Sequence, residues 1–477
     1  MSSQSSMLKK LFSHSLIYAI APQVASIAGI LALPVITKDL TTVDYGVWGV
    51  LMAYTGALQA LAILGMGVVL SNAFFKMPRQ YKWLWRQIYG MLLLWALPYG
   101  LIVGCLLYFV MPVEAQEHTL LLIFLLLAPN VLFGPTSLLG TYYYQLNQRP
   151  VPIVVRTTLF GLLTVGLSVY TISHLKMGYL GWAWTNFIVT VLMNASYWYV
   201  INVKLGYRPI FNFKRRTIRR ALNVSLPTIP HTYAAYLLDS SDRIVMDRLQ
   251  VSTSNLGIYN LAAKFGGYFR ALTTGANKAV APMMLKAYKE GKDEIARNLI
   301  VALQIAVLSG TFIFALWSRE IFEILIKNEE LKEAYPLAIV IVMAYNYRPM
   351  YTGALNKLYF LEKTQLLWRV SFIAGGLNVI LNLILIPIYG FEVAAYTTFV
   401  AFMYMGFAGH FIPKIKEVHR ANFYPLFWLG VIVLTSIIVS FAVELEILYK
   451  FWISIILLGA MTMFLVFNRK SLNHKFG

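Results

Sequence analysis

Residues 15–37 read SLIYAIAPQVASIAGILALPVIT and contain no charged side chain from one end to the other. About 20 mostly apolar residues are enough for a helix to cross the hydrocarbon core of a bilayer. The same pattern recurs along the chain: 59% of its 477 residues are hydrophobic and 13% are charged, whereas about 25% are charged in a soluble domain. This composition excludes a soluble globular protein. It predicts an all-α membrane protein. Counting the stretches of sufficient apolar length along the chain predicts about 14 transmembrane helices.

The first apolar run follows a short basic start, but it is too long for the core of a signal peptide. We therefore interpret it as a retained first helix. The single cysteine, Cys105, leaves no internal disulfide or thiolate metal site. The seven histidines form no HExxH motif, and the sequence has no phosphate-binding loop and no GxSxG elbow. We expect neither an enzyme nor a bound metal or cofactor.

Forty Lys and Arg residues against twenty Asp and Glu give a net charge of +20. The basic residues concentrate in alternate loops, most densely in KRRTIRR at 214–220. Cytoplasmic loops of membrane proteins carry an excess of Lys and Arg, so the pattern predicts a multi-pass membrane protein with both termini in the cytoplasm. The 214–220 cluster is typical of a topology signal that contacts anionic lipid headgroups, and we expect no nucleic-acid partner.

Short segments of the first half recur in the second half, in the same order and at nearly constant spacing. TTVDYGVWGV at 41–50 matches STSNLGIYNL at 252–261, which pairs Gly46 with Gly257. MGYLGWAWT at 177–185 likewise matches YGFEVAAYT at 389–397. FGPTSLLG and YRPMYTGA also match, and they pair Pro135 with Pro349.

The repeat predicts two six-helix lobes in parallel orientation, at 1–205 and 217–415, joined by a basic cytoplasmic linker at 206–216. An extra helical pair at 416–477 follows. Such repeats are typical of transporters whose substrate site lies between the halves. The paired prolines are predicted to interrupt the fourth and tenth helices, because proline lacks the backbone N–H that a helix interior requires.

Four basic residues of the second half lie inside predicted helices: Lys264, Arg270, Lys278 and Arg348. The aligned first-half positions are neutral: Ala53, Gln59, Gly67 and Gly134. At 100° per residue, the three charges of the eighth predicted helix share one face about 120° wide. Charges at membrane depth usually face a bundle interior or a wet cavity. We predict that these four residues bind an anionic substrate group such as a phosphate or pyrophosphate.

The seventh predicted helix, at 222–247, contains Asp239, Asp242 and Arg243. Asp239 and Arg243 are four positions apart and can form an ion pair on one helix face. Either carboxylate is also a candidate to bind a coupling H⁺ or Na⁺. Both interpretations stay open at this point.

Three stretches carry a recognisable family pattern: SLIYAIAPQVASIAGILALPVITKDLTTVDYGVW near the N-terminus, DSSDRIVMDRLQVSTSNLGIYNLAAK in the second half, and NLILIPIYGFEVAAYTT towards the end. With them the chain resembles the polysaccharide transporter family, the Wzx-type flippases within the superfamily of MATE exporters and lipid II flippases. It departs from the usual YG..GAA pattern, because Glu392 and Val393 stand within YGFEVAA.

The resemblance implies an alternating-access flippase of the bacterial inner membrane. It would move undecaprenyl-pyrophosphate-linked oligosaccharide repeat units from the cytoplasmic to the outer leaflet, for O-antigen or another surface polysaccharide. It implies as partners the lipid-linked glycan, membrane lipids, and the polysaccharide polymerase and chain-length machinery. A lipid II flippase and a MATE-like cation or drug antiporter are the alternatives. The cationic residues argue against the antiporter, because a cation substrate favours an acidic or aromatic cavity.

Overall fold

A computed structural model of the chain describes residues 23–361, 367–413 and 421–473. All of the regular structure in these residues is helical, which confirms the predicted all-α class. Contacts between the helices are denser within two parts of the chain than between them. Contacts divide the chain into an N-terminal unit, Ile20–Gly257, and a C-terminal unit whose described residues begin at Ile258.

The N-terminal unit is built from long apolar helices and several shorter ones. Its helices are α1 (23–31), α2 (Leu33–Ile36), α3 (Thr42–Ala62), α4 (Gly67–Lys76), α5 (Tyr81–Phe109), α6 (Thr119–Leu146), α7 (Val151–Ser168), α8 (Tyr179–Trp198), α9 (Arg215–Ser225), α10 (Ile229–Asp239) and α11 (Ser241–Arg248). Helix α12 (Thr253–Lys289) starts at the end of this unit.

The C-terminal unit contains the rest of α12 and the later helices. These are α13 (Asp293–Leu316), α14 (Ser318–Leu325), α15 (Glu329–Lys332), α16 (Tyr335–Ala344), α17 (Tyr347–Phe360), α18 (Leu367–Tyr389), α19 (Val393–Phe407), α20 (Pro425–Ala442) and α21 (Ile447–Asn473). Val439, Ala442 and Val443 pack with residues of α13 and α16 in one buried cluster. The predicted extra helical pair therefore packs on this unit.

Within the described residues, seven helical segments are long and apolar enough to cross a membrane. Large apolar side chains remain exposed on them: Phe109 is 81% exposed and Leu101 is 73% exposed. Exposed apolar surface of this kind suits contact with lipid. The other predicted spans are shorter, interrupted or partly outside the described residues, so the count of 14 stays a prediction.

The lobe boundaries also stay a prediction, because the two units are defined by which helices touch and not by the sequence repeat. Helices α10 and α11, which cover most of the predicted seventh span, pack against α3 inside the N-terminal unit. The basic helix α9 also packs in the N-terminal unit. Its Ile218 and Ala221 are buried in the hydrophobic core of that unit, whereas the arginines of 214–220 are exposed.

The prediction that Pro135 interrupts its helix is wrong, because α6 runs continuously through Pro129 and Pro135. Two side chains donate hydrogen bonds to backbone carbonyl groups in this part of α6. Asn194 of α8 donates from Nδ2 to the carbonyl of Pro129 (3.2 Å), and Thr136 donates from Oγ1 to the carbonyl of Phe133 (2.6 Å). These contacts add side-chain hydrogen bonds to carbonyl groups of α6 near its two prolines.

The corresponding interruption at Pro349 is confirmed. Helix α16 ends at Ala344 and α17 begins at Tyr347, so Pro349 occupies the first turn of a helix, where its missing N–H needs no partner. Buried amides hold the break together. Gln304 donates from Nε2 to the carbonyl of Asn346 (3.1 Å), and Asn346 donates from Nδ2 to Oγ1 of Thr311 (2.8 Å).

Candidate functional site

The C-terminal unit carries all four predicted substrate-binding cations on two helices. Lys264, Arg270 and Lys278 lie on α12, and Arg348 is the second residue of α17. Lys264 is half-buried and Arg270 is exposed. The side chain of Lys278 lies outside the described part of the chain, so the structure gives only its helix.

Arg348 links the two helices. Its Nη1 atom donates a hydrogen bond to Oγ1 of Thr274 (3.0 Å), which lies on α12 between Arg270 and Lys278. Its guanidinium carbon is 5.9 Å from the centroid of the Tyr347 ring, a cation–π distance. The structure therefore places Arg348 beside the α12 segment that carries the other cations. The helix break before α17 sets its position.

Two polar atoms on these helices are unused. The Nε atom of Arg348 and the Oδ1 atom of Asn277, one turn after Thr274, are buried without a hydrogen-bond partner among the described residues. Buried polar atoms are nearly always paired with protein or water. An arrangement with spare donors on a guanidinium can bind a phosphate oxygen, for which Arg offers two parallel N–H groups.

A neighbouring charge pair in the same unit has a different character. Lys357 Nζ is 2.7 and 2.9 Å from the two carboxylate oxygens of Asp293, and it lies 4.5 Å from the centroid of the Tyr288 ring. Both charged side chains are at most 9% exposed. This lysine is neutralised within the fold. Sequence reasoning missed the pair, because its two residues are distant in the chain.

Asp239, Asp242 and Arg243 lie in the N-terminal unit, where the predicted seventh span is broken at Ser240, between α10 and α11. Arg243 donates from Nη1 to the backbone carbonyl of Asp239 (3.2 Å), and Asp242 is 2% exposed. Discontinuous helices at membrane depth are typical of ion and substrate sites in transporters. The role of these three residues stays a prediction.

The N-terminal unit has an open cavity of about 610 Å³ lined by residues of α3, α5, α6, α8 and α10. Its polar lining residues are three with side-chain amides and three tyrosines, among others: Gln59, Asn130, Asn186, Tyr99, Tyr233 and Tyr236. Of the described residues that line it, none is charged. Sequence reasoning did not single out this cavity. Amides inside otherwise apolar helices were the available signal.

The repeat-paired glycines meet where α3 and α12 begin. A Cβ atom on Gly46 would lie 1.9 Å from the carbonyl oxygen of Thr253, and one on Gly257 would lie 1.8 Å from that of Thr42. Thr42 and Gly46 are separated by the same number of residues as Thr253 and Gly257. The contact is thus reciprocal between equivalent positions, as in a two-fold arrangement. Ser254 donates from Oγ to Oγ1 of Thr42 (2.8 Å) across the same crossing.

Comparison with known proteins identifies one matching family and several solved structures of similar fold. The family described as polysaccharide biosynthesis protein matches residues 9–288, more than half of the chain. A search of curated protein sequences finds no match.

Three solved structures with a similar fold are a flippase and two MATE transporters. The lipid II flippase MurJ in an inward closed conformation superimposes with a TM-score of 0.65 at 14% identity, covering 91% of this chain and 99% of that chain. A mutant of the Vibrio cholerae MATE transporter VcmN gives 0.54 at 13% identity, with coverages of 89% and 100%. An inward-facing multidrug resistance MATE transporter of the MOP superfamily gives 0.54 at 14%, with 85% and 96%. At these identities the likeness shows the fold alone.

Proposed function

The chain belongs to the polysaccharide biosynthesis protein family, and from that premise we propose that it flips undecaprenyl-pyrophosphate-linked oligosaccharide repeat units. The direction is from the cytoplasmic to the outer leaflet of the bacterial inner membrane. The product supplies O-antigen or another surface polysaccharide, and the polymerase and chain-length machinery that use it are the proposed partners. A lipid II flippase is similar in fold.

The observation that carries the proposal is the position of Arg348. It lies at a helix break in an apolar helical unit, bonded to α12 beside Arg270, with a buried Nε atom that no described residue accepts from. A charge in such surroundings is costly unless it has a function or a partner. A pyrophosphate is a fitting partner, because it offers several anionic oxygens to guanidinium and ammonium donors.

Alternating access needs a ligand or ion that favours one conformation by differential affinity. The substrate itself is one candidate. The acids at the break between α10 and α11, Asp239 and Asp242, are candidates to bind H⁺ or Na⁺. The break supports this assignment, because carbonyl groups that leave a helix can join carboxylates in binding a cation.

The alternatives differ in what they require of these residues. A cation or drug antiporter would gain nothing from Arg270 and Arg348, since like charges repel its substrate. A lipid II flippase would need the same pyrophosphate contacts, and it differs in the sugar part of its substrate. The family match favours a surface polysaccharide over lipid II. We propose no catalytic step in any of these cases.

The test uses the host strain lacking this protein, complemented with the wild type or with Arg270→Ala and Arg348→Ala combined. We expect the double variant to accumulate lipid-linked repeat units and to lose surface glycan, because the pyrophosphate loses its donors. Arg319→Ala is the matched control: this arginine is exposed, belongs to the same unit and pairs with Glu444 at the surface. Full surface glycan with the double variant would remove the assignment, and a drug-resistance phenotype alone would favour the antiporter.

A further inference from the structure

The cavity of the N-terminal unit has the size and lining of a ligand site. Pockets for small molecules are typically about 300–1,000 Å³ with a few placed polar groups, and this one is about 610 Å³. Five helices contribute to its wall. Their polar side chains come from different helices, with Gln59 from α3, Asn130 from α6 and Asn186 from α8.

Its polar groups have hydrogen-bonding capacity to spare. Among the described residues, none bonds to the side-chain amide of Gln59 or of Asn186, and Asn130 reaches only the carbonyl of Leu126, at 3.4 Å. Each amide offers two donors and an acceptor with two lone pairs. Gln59 and Asn130 are exposed and Asn186 is half-buried, so their amides are accessible to a bound molecule. The amides therefore fit a ligand that has many hydroxyl or acetamido groups.

Aromatic side chains complete the wall. The rings of Tyr233 and Tyr236 meet edge to face, with centroids 6.5 Å apart and planes at 82°. Tyr236 is held in place because its hydroxyl donates to the carbonyl of Ala53 (2.6 Å). Tyrosine combines an apolar ring with a hydrogen-bonding hydroxyl. A sugar ring has the complementary surface, with C–H faces above and below and hydroxyl groups around the edge.

The lining is uncharged at the positions that the repeat aligns with the cations. Gln59 aligns with Arg270 and Gly134 aligns with Arg348, and both neutral residues line the cavity. An anion would find no counter-charge among the described lining residues. The ligand that fits is neutral and rich in hydroxyl groups.

We propose that this cavity of the N-terminal unit binds the uncharged sugar part of the lipid-linked substrate. The inference rests on the proposed function and adds a second site to it. It assigns glycan selectivity to Gln59, Asn186, Tyr99 and Tyr233.

The test measures binding of two lipids to the full-length protein in nanodiscs by native mass spectrometry. One probe is undecaprenyl pyrophosphate without sugar. The other is the glycan-bearing undecaprenyl pyrophosphate extracted from the host. The variant combines Gln59→Leu with Asn186→Leu, and Gln145→Leu is the matched control, since this exposed amide of α6 lies outside the cavity. Thermal unfolding of each variant checks its fold.

We expect the wild type to prefer the glycan-bearing lipid. The double leucine variant should lose about tenfold of its affinity for that lipid, as expected for lost hydrogen bonds, and keep its affinity for the bare carrier. If this variant does not fold, Tyr99→Phe with Tyr233→Phe removes hydroxyl groups only, and the same selective loss is expected.

Three results are distinguishable. A wild type that binds neither lipid overturns the proposed function itself. A wild type that binds both lipids equally overturns only the sugar site. So do cavity variants that keep the preference for the glycan-bearing lipid, or that lose affinity for both lipids alike.

Discussion

Two basic side chains of the C-terminal unit show how neighbours decide the role of a charge. Lys357 is enclosed by the Asp293 carboxylate and the Tyr288 ring, whereas Arg348 has one hydroxyl partner, Thr274, and an Nε atom that bonds to no described residue. Both residues are basic and lie on α17, Arg348 in its first turn and Lys357 in its last. Sequence analysis selected Arg348 but could not show that Lys357 is paired, because pairing depends on where α13 and α17 pack.

The buried ion pair makes a stability prediction. Asp293→Ala leaves Lys357 as an uncompensated buried charge, and removal of one partner of a buried pair costs about 3–5 kcal/mol. We expect a clearly lower midpoint of thermal unfolding for the purified protein. Adding Lys357→Met to this variant should recover most of the loss. If the double variant is no more stable than Asp293→Ala, the pair is not the source of the stability.

At the scale of helices, the crossing of α3 and α12 depends on two glycines. Sequence matching predicted that Gly46 and Gly257 are equivalent, and the structure adds that each lies against the residue that begins the other segment. No sequence rule gave that contact, because it requires the approach of two helices that are distant in the chain. The same limit applies to α6, where the Pro129 carbonyl accepts a hydrogen bond from Asn194 of α8.

The crossing predicts a steric cost at either glycine. Gly46→Ala and Gly257→Ala would each place a methyl group against backbone carbonyl atoms, which cannot move aside as a side chain can. Overpacking of this kind costs about 1–3 kcal/mol, so both variants should unfold at lower temperature. Gly166→Ala on α7 is the control, since nothing lies within 4 Å of its added Cβ. Equal unfolding temperatures for all three variants would contradict the crossing.

For the whole molecule, composition alone predicted the membrane class and the helical fold, since both follow from apolar length. The number of spans and the boundaries of the halves did not follow as directly. Short and broken helices such as α10 and α11 carry charged residues, which lower the mean hydropathy of the segment and weaken its prediction as a span. The neutral cavity was missed because its lining comes from five helices with no common spacing.

The distribution of basic residues predicts the orientation in the membrane. In a Cys105→Ala background, which removes the exposed native thiol, single cysteines at exposed positions report the side. Glu117→Cys should react with an impermeant thiol reagent added to intact cells, and Arg216→Cys should react only after the membrane is opened. Labelling of Arg216→Cys in intact cells would reverse the predicted topology and contradict the positive-inside assignment.

The most direct measurement of the central claim is lipid translocation by the purified protein in proteoliposomes, scored by the arrival of the glycan-bearing undecaprenyl pyrophosphate in the opposite leaflet. We expect the wild type and Arg319→Gln to translocate this lipid. Arg270→Gln combined with Arg348→Gln should be slower by about tenfold or more, because each lost charged hydrogen bond is worth about 1.5–3 kcal/mol. Equal rates for the wild type and the double variant, or no translocation by the wild type, would contradict the account.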